Sequence, residues 1–376
     1  MKAKVAELTE GLDRKKKIET LFFWVAKKIR YMGITTEKEA PGYEPHPVKM
    51  TFEDRHGVCR DKGVLLVSML RMAGIEAFPV IIHSGPKKDR EIPQPYFNHA
   101  VVAVRDADGS YQLMDPTSET ATELFPAWLG NKSYLIATPE GETLKTSPVE
   151  LATENMMVIR TTGRLDKAGD LDAETVLEFA GVNDNAYRSF FQRARPEQRR
   201  EFFEGVAKRA AAGARLTDLD VTPQNLSDNS KPLKAVLRYR AKSVLVSGGR
   251  TALVPLPRLS RNLGMVNFII GKTGLEERKY PFVTSVACGV DEAVDLEVGR
   301  VVDEVLSLPE FEPIETDKLA WKQNVTFDGG RLSYVGKFLM KAVEFSPKEY
   351  LALKDALKRI EVDLRKKAIV LQNPGI

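Results

Sequence analysis

A periodic apolar segment between Gly57 and Gly74 constrains the fold of this chain more than any other feature. Its apolar side chains recur on adjoining turns of a helix, at Leu65, Leu66, Met69, Leu70 and Ala73. A helix with this pattern must bury its apolar side against other structure. The pattern predicts a buried helix from about residue 59 to residue 73, with Cys59 at or near its first turn.

The residues after this helix predict an antiparallel sheet. Segments 75–82, 97–104 and 110–114 have the composition of strands. An Asp-Gly turn signal at 106–109 joins the last two segments as a hairpin. We therefore expect an α+β fold in which the helix that carries Cys59 packs on an antiparallel sheet.

The sequence pattern changes after about residue 150. Alternating apolar segments there predict mostly β structure, with a helical stretch near 185–212 that Pro196 should interrupt and a terminal helix near 346–366. The sequence thus predicts a first domain over residues 1–150. It predicts a β-rich C-terminal region over residues 151–376.

The composition excludes several classes of protein. The chain has 376 residues, of which 43% are hydrophobic, and this suffices for real cores. Its 56 basic and 52 acidic residues give a net charge of +4, too mild and too interspersed to favour nucleic acid. No apolar run approaches the roughly 18–20 residues of a membrane-spanning helix. We therefore expect no nucleic-acid partner and no integral membrane segment.

Cys59 is a candidate nucleophile. A cysteine attacks as the thiolate, and a helix N-terminus lowers the thiol pKa because backbone N–H groups stabilise the anion. Gly57 would let a substrate carbonyl approach the backbone, where the Cys59 amide could donate to a developing oxyanion. The alternative is a buried structural cysteine. We expect that alternative for Cys288, and two cysteines so far apart exclude a disulfide scaffold.

Histidine chemistry is confined to the first domain, because all four histidines precede residue 100, at His46, His56, His83 and His99. His99 lies in a predicted strand, and Asp115 ends the next strand at a similar distance from the turn. The two should therefore be near neighbours across the ladder. A carboxylate beside an imidazole fixes its tautomer and orientation. Cys59, His99 and Asp115 are thus a candidate triad; we expect the other three histidines in loop or surface positions.

No motif indicates a metal or a cofactor. The sequence has no CxxC or HExxH pattern, and its histidines and cysteines do not bunch as zinc ligands. The Ser-Gly-Gly-Arg run at 247–250 lacks the lysine and the spacing of a phosphate-binding loop. We therefore expect neither a metal site nor a cofactor site.

Three motifs resemble the transglutaminase-like superfamily, in the order that this family has them. GVCRDKG at 57–63 resembles its nucleophile helix, FNHAVV at 97–102 its histidine strand, and LMDPT at 113–117 its aspartate strand. The resemblance covers roughly residues 15–150 and implies a papain-like thiol-enzyme core. It implies that Cys59 is the nucleophile, His99 the general base and acid, and Asp115 the orienter.

The sequence departs from the family pattern at Val58, where bacterial relatives usually have aspartate before the cysteine. This change removes a charge beside the thiol but none of the three roles. Some relatives use a tryptophan side chain as an oxyanion donor. Trp24 and Tyr43 are the candidates for that role here.

The part after residue 150 is similar to the C-terminal region of bacterial proteins that follow this core with β-rich modules. Those proteins usually begin with another β-rich domain and an export signal. This chain has no apolar signal segment before Leu21. Taken alone, that weakly favours the cytoplasm, whereas the resemblance implies a portion of an exported, periplasmic or cell-surface parent.

The resemblance implies thiol-dependent acyl transfer on a peptide or protein amide. Hydrolysis by a peptidase or amidase is favoured, since no calcium-site cluster or lysine-selective feature is evident. Transamidation, with an amine as the acceptor, is the first alternative. A core that has lost catalysis and binds a peptide or glycan is the second, and a structural assembly protein the third.

Overall fold

The computed structural model describes residues 1–32, 44–88, 91–92, 97–284 and 286–373. The chain divides into two compact units, Met1–Val149 and Glu150–Ile376. No helix among the described residues has the length and apolar character needed to cross a membrane.

The described residues of the first unit form four helices and seven strands. In chain order they are α1 (Lys2–Thr9), α2 (Arg14–Lys28), β1 (Arg30–Tyr31), α3 (Val48–Asp54), β2 (His56–Gly57), α4 (Cys59–Met72), β3 (Ala77–His83), β4 (His99–Arg105), β5 (Tyr111–Met114), β6 (Ser133–Ile136) and β7 (Lys145–Thr146). Strands β3 to β7 form an antiparallel sheet in the order β5-β4-β3-β6-β7, while β1 and β2 form a short parallel pair. The α+β core expected from the sequence is confirmed.

The predicted buried helix is α4, which begins at Cys59 as expected. Gly74 follows its end with φ +78°, a conformation that glycine adopts without strain. The apolar side of α4 packs in one core with α2 and with Val102 and Val104 of β4. Val101 and Ala103 point into a second core on the opposite face of the sheet. Because successive strand residues face opposite sides, burial of both faces explains the unbroken apolar run of β4.

The second unit is mostly β, as expected, with four helices. In chain order its elements are β8 (Met156–Leu165), β9 (Leu171–Phe179), α5 (Val182–Arg193), α6 (Pro196–Ala210), β10 (Arg215–Thr222), β11 (Lys234–Ala241), β12 (Val246–Gly248), β13 (Thr251–Val254), α7 (Met265–Ile270), β14 (Phe282–Val283), β15 (Cys288–Glu297), β16 (Val302–Ser307), β17 (Ile314–Glu315), β18 (Leu319–Asp328), β19 (Arg331–Met340), β20 (Glu344–Phe345), α8 (Pro347–Asp363) and β21 (Ala368–Gln372). The largest sheet has the order β10-β11-β9-β8-β15-β19-β18-β17, in which only β8 and β15 pair in parallel. The smaller sheets are β12-β13-β21-β16 and β14-β20.

The helices of this unit begin where the sequence chemistry places them. The predicted interruption at Pro196 lies between α5, which ends at Arg193, and α6. Pro196 is the first residue of α6, where a missing N–H removes no hydrogen bond. The terminal helix α8 starts with a capping box. The Ser346 N–H donates to the Glu349 carboxylate at 2.7 Å, and the Glu349 N–H donates to the Ser346 hydroxyl at 3.3 Å.

Candidate active site

Cys59 is the first residue of α4, and the turn before it is tightly built. The Val58 N–H donates to Oδ2 of the buried Asp61 at 2.9 Å, so the helix itself holds its leading residue. A Cβ added at Gly57 would lie 2.7 Å from the Asp61 Cβ. Only glycine allows this close approach, which explains why the residue two positions before the thiol is glycine.

Strand β1 brings Tyr31 to the same place. β1 pairs in parallel with β2, so that Tyr31 lies opposite Gly57 and the Met32 N–H donates to the Gly57 carbonyl at 3.2 Å. The Tyr31 hydroxyl consequently lies close enough to Cys59 for the thiol and the main-chain N–H of that residue to act on the Tyr31 pKa. Burial, together with the charges of Cys59 and Asp115, raises the pKa of Tyr31, so its hydroxyl remains a proton donor at neutral pH.

His99 and Asp115 meet at the end of the sheet. His99 Nε2 and Asp115 Oδ2 lie 2.9 Å apart. The residues are not directly opposite one another, because Val102 pairs with Met114 and the same register would put His99 opposite residue 117. The sequence prediction of neighbours across the ladder holds as a diagonal pair, in which the side chains close the remaining distance.

Asp115 is well supported as a charged partner for the imidazole. Its side chain is buried, and Oδ1 accepts the Thr117 hydroxyl at 2.6 Å and the Thr117 N–H at 3.0 Å. A buried carboxylate is stable as an anion when its oxygens are hydrogen-bonded. Asp115 therefore leaves Oδ2 free to hold His99 in one orientation.

The thiol and the imidazole complete the arrangement. The Cys59 side chain hydrogen-bonds the His99 ring, and because Nε2 faces Asp115, the nitrogen left for the sulfur is Nδ1. Burial opposes ionisation of Cys59. The His99 hydrogen bond and the N–H groups of Ala100 and Arg60 outweigh it, so the pKa of the thiol is lowered.

The pKa of His99 moves in the complementary direction. Burial alone would lower it, but the hydrogen bonds to Asp115 and Cys59 raise it to about 9. A lowered thiol pKa beside a raised imidazole pKa favours a thiolate–imidazolium pair at neutral pH.

Trp128 lies beside this pair and has no counterpart among the residues that the sequence singled out. Its ring centre is 6.0 Å from that of His99, and 39% of the residue is exposed. It belongs to the short 3₁₀ turn Ala127–Leu129. Its position makes it one wall beside the imidazole.

The remaining sequence candidates have other surroundings. Trp24 stacks on Phe52, with the Arg55 guanidinium over both rings. The contact with the thiol comes instead from Tyr31, which the sequence gave no reason to select. The β1–β2 pairing brings Tyr31 close to Cys59 in space, although the two residues are far apart in the sequence. Tyr43 lies outside the described residues.

Two histidines expected at the surface are half-buried. His46 Nδ1 lies 3.1 Å from Asp61 Oδ1, an oxygen that also accepts the His46 N–H. The second is His83, whose pKa is lowered by burial and by Lys88 and Lys132. His56 was expected in a loop but lies in β2 opposite Arg30, and its Nδ1 lies 3.1 Å from the Asp54 carbonyl.

Cys288 is fully buried at the start of β15, where burial raises its pKa to about 12, as expected for a packing residue. Across the described ranges, no three His, Cys, Asp or Glu side chains converge as a metal site. The arrangement at the N-terminus of α4 brings together a thiol, an imidazole and the hydrogen-bond donors around them.

The first unit thus has the fold of a papain-like core with a thiol, an imidazole and a carboxylate in contact. Residues 2–116 match the family model described as "Transglutaminase-like superfamily", so this part of the chain is similar to that superfamily.

Two solved structures are similar to the chain. One, from Parabacteroides distasonis, is described as a "putative protease"; it is 11% identical with a TM-score of 0.57, and the match covers 98% of this chain but only 55% of that one. The other, from Cytophaga hutchinsonii, is described as a "putative cysteine protease"; it is 20% identical with a TM-score of 0.24, over 33% of this chain and 37% of that one. The first likeness supports the fold. A search of curated proteins gives no match.

Proposed function

We propose that this chain is a thiol-dependent acyl-transfer enzyme that cleaves amide bonds in peptides or proteins. Cys59 is the nucleophile, His99 the general base and acid, and Asp115 the residue that orients His99. The observation that carries the proposal is the continuous set of contacts at the N-terminus of α4, from the Cys59 thiol through His99 to the buried Asp115.

The first half of the reaction forms an acyl-enzyme. The Cys59 sulfur attacks the amide carbonyl carbon, and the carbonyl oxygen becomes an oxyanion to which the Cys59 N–H can donate. The His99 imidazolium then gives its proton to the leaving nitrogen. The C–N bond breaks, an amine departs, and a thioester and a neutral imidazole remain.

The second half returns the enzyme. The neutral His99 takes a proton from water, whose oxygen attacks the thioester carbon, and the C–S bond breaks to give a carboxylic acid and the thiolate. Trp128 and Tyr31 are 39% and 47% exposed, so water can reach the edges of the site. We propose that water rather than an amine is the acceptor.

Labelled casein tests both parts of the proposal. We expect the protein to release fluorescent peptides from fluorescein-casein, Cys59→Ala to remove this activity, and Cys288→Ala to retain it. Equal activity in all three proteins would contradict the nucleophile assignment. Monodansylcadaverine in the same reaction reports the acceptor, since transamidation would attach it to casein whereas hydrolysis would not.

A further inference from the structure

Lys62 occupies an unusual position one turn after the thiol on α4. Its side chain is fully buried, and its Nζ donates to the carbonyls of Ile29 at 2.6 Å and Ala26 at 3.1 Å. Lysine is almost never fully buried unless it is paired. The two carbonyls lie at the C-terminal end of α2, where helix carbonyls lack partners and a positive charge is favourable. Lys62 therefore ties the end of α2 to the helix that carries Cys59.

This tie acts on a segment that leads directly to the active site. Ile29 is two residues before Tyr31, and the Tyr31 N–H donates to the Glu119 carboxylate at 3.2 Å. Burial lowers the pKa of Lys62 to about 8, while the charges of Glu119 and Asp115 oppose that effect. Lys62 thus holds the backbone two residues before Tyr31, while Glu119 accepts the Tyr31 N–H itself.

The Tyr31 hydroxyl lies where negative charge develops during the proposed reaction. In the free enzyme it lies beside the sulfur and the main-chain N–H of Cys59. When sulfur bonds to the substrate carbon, the negative charge moves from sulfur to the carbonyl oxygen. The Tyr31 O–H can then rotate to donate to that oxygen, and the Cys59 N–H, whose direction is fixed at the start of α4, can donate to it as well.

We infer that Tyr31 is the side-chain oxyanion donor of this site and that Lys62 is the positioning residue that holds it there. The inference rests on the proposed function. Tyr31 in β1 and Lys62 in α4 would thus help to stabilise the transition state, in addition to the thiol, the imidazole and the carboxylate.

Tyr31→Phe tests the donor. Loss of one oxyanion donor lowers kcat by about 10²-fold with KM little changed, because the interaction is made mainly in the transition state. We expect that loss in casein hydrolysis, while the rate of Cys59 alkylation by iodoacetamide at its high-pH plateau changes less than about threefold. Tyr111→Phe is the matched control, since it removes a phenol hydrogen bond to Glu142 in the same unit. Unchanged or faster hydrolysis, or an equal fall in plateau alkylation, would overturn the assignment.

Lys62 is tested through its dependence on Tyr31. Lys62→Met should lower kcat about tenfold in the otherwise unchanged protein, but less than about threefold when Tyr31→Phe is already present. Lys62→Gln, which keeps a donor for the carbonyls without the charge, should recover part of the loss. Independent effects that multiply in the double variant would overturn the positioning role. So would a thermal unfolding midpoint that falls in parallel with activity in both Lys62 variants.

Two controls separate this inference from the proposed function. Lys132→Met removes another buried lysine of the same unit and should leave hydrolysis unchanged. If Cys59→Ala retains the activity of the unaltered protein, the proposed function fails and the donor assignment fails with it. If Cys59→Ala is inactive while Tyr31→Phe is fully active, only the donor assignment fails.

Discussion

The two cysteines of this chain show how differently two regions of one molecule treat the same side chain. Cys59 begins a helix in the first unit, and Cys288 begins a strand in the second. Burial alone would raise the pKa of both thiols. At Cys59 the His99 ring and two backbone N–H groups reverse that effect, whereas at Cys288 burial prevails and the pKa reaches about 12.

Burial alone therefore does not decide whether a cysteine is reactive. The deciding feature is the supply of hydrogen-bond donors and positive charge at the sulfur. A helix N-terminus provides N–H groups that have no partner within the helix. At Cys59 the Arg60 N–H comes from the helix N-terminus and the Ala100 N–H from β4, whereas no such donor lowers the pKa of Cys288.

We expect the largest loss of activity from a variant that lacks the His99 imidazole. His99→Ala should lower casein hydrolysis by about 10²- to 10⁴-fold, the contribution of a positioned general acid–base group. Because the thiol also loses its ion-pair partner, its pKa should rise and its alkylation at pH 6 should slow markedly. His56→Ala, three residues before Cys59, is the control. Retained activity in His99→Ala with loss in His56→Ala would reverse the assignment of the base.

Asp115→Asn should have the next largest effect, on the order of 10²-fold in kcat, because the imidazole loses the carboxylate that fixes its tautomer. The pKa of His99 should also fall, since the hydrogen bond to Asp115 is a main cause of its elevation. The alkaline limb of the pH profile measures this shift. Asp106→Asn, at the exposed hairpin turn, is the matched control and should leave both rate and profile unchanged.

The pH profile itself is a third test. The active pair needs the thiolate and the protonated His99, so activity should rise with pH through the lowered thiol pKa and fall as His99 loses its proton near pH 9. For one such ionisation, kcat/KM should fall about tenfold between pH 8 and pH 10. Activity that still increases at pH 10 would indicate an ordinary thiol like a solvent-exposed cysteine.

The smallest expected effect concerns the support of Asp115. Thr117→Val removes the 2.6 Å hydroxyl hydrogen bond to Oδ1 but leaves the backbone one, so kcat should fall by about three- to tenfold. Thr117→Ser keeps the hydroxyl and should restore most of the rate. Equal rates for the valine and serine variants would show that Asp115 does not depend on this hydroxyl.

Local sequence patterns predicted much of the fold. The helical spacing of Leu65, Leu66 and Met69 placed α4, and the Asp-Gly turn placed the β4–β5 hairpin, because both depend on residues close in the chain. Helix α1 was not predicted. Among its eight residues Val5 and Thr9 are buried, so its sequence has no strong apolar periodicity.

The active site was predictable only in part, because sequence patterns report contacts between residues that are close in the chain. Cys59, His99 and Asp115 followed from motif order and the hairpin, although the hairpin register is diagonal. Tyr31 reaches the thiol through the β1–β2 pair, and Trp128 reaches His99 from a separate turn. Such contacts depend on how distant segments pack, which neither periodicity nor spacing encodes.

We propose that the first unit activates the Cys59 thiol and that the second leaves the Cys288 thiol inert. The most direct measurement is iodoacetamide labelling of the native protein from pH 5 to pH 10, with both cysteines followed by peptide mass spectrometry. We predict that Cys59 is labelled well below pH 7 and that Cys288 is labelled only after denaturation. Labelling of Cys59 that begins only above pH 8, or parallel labelling of both cysteines, would contradict the account.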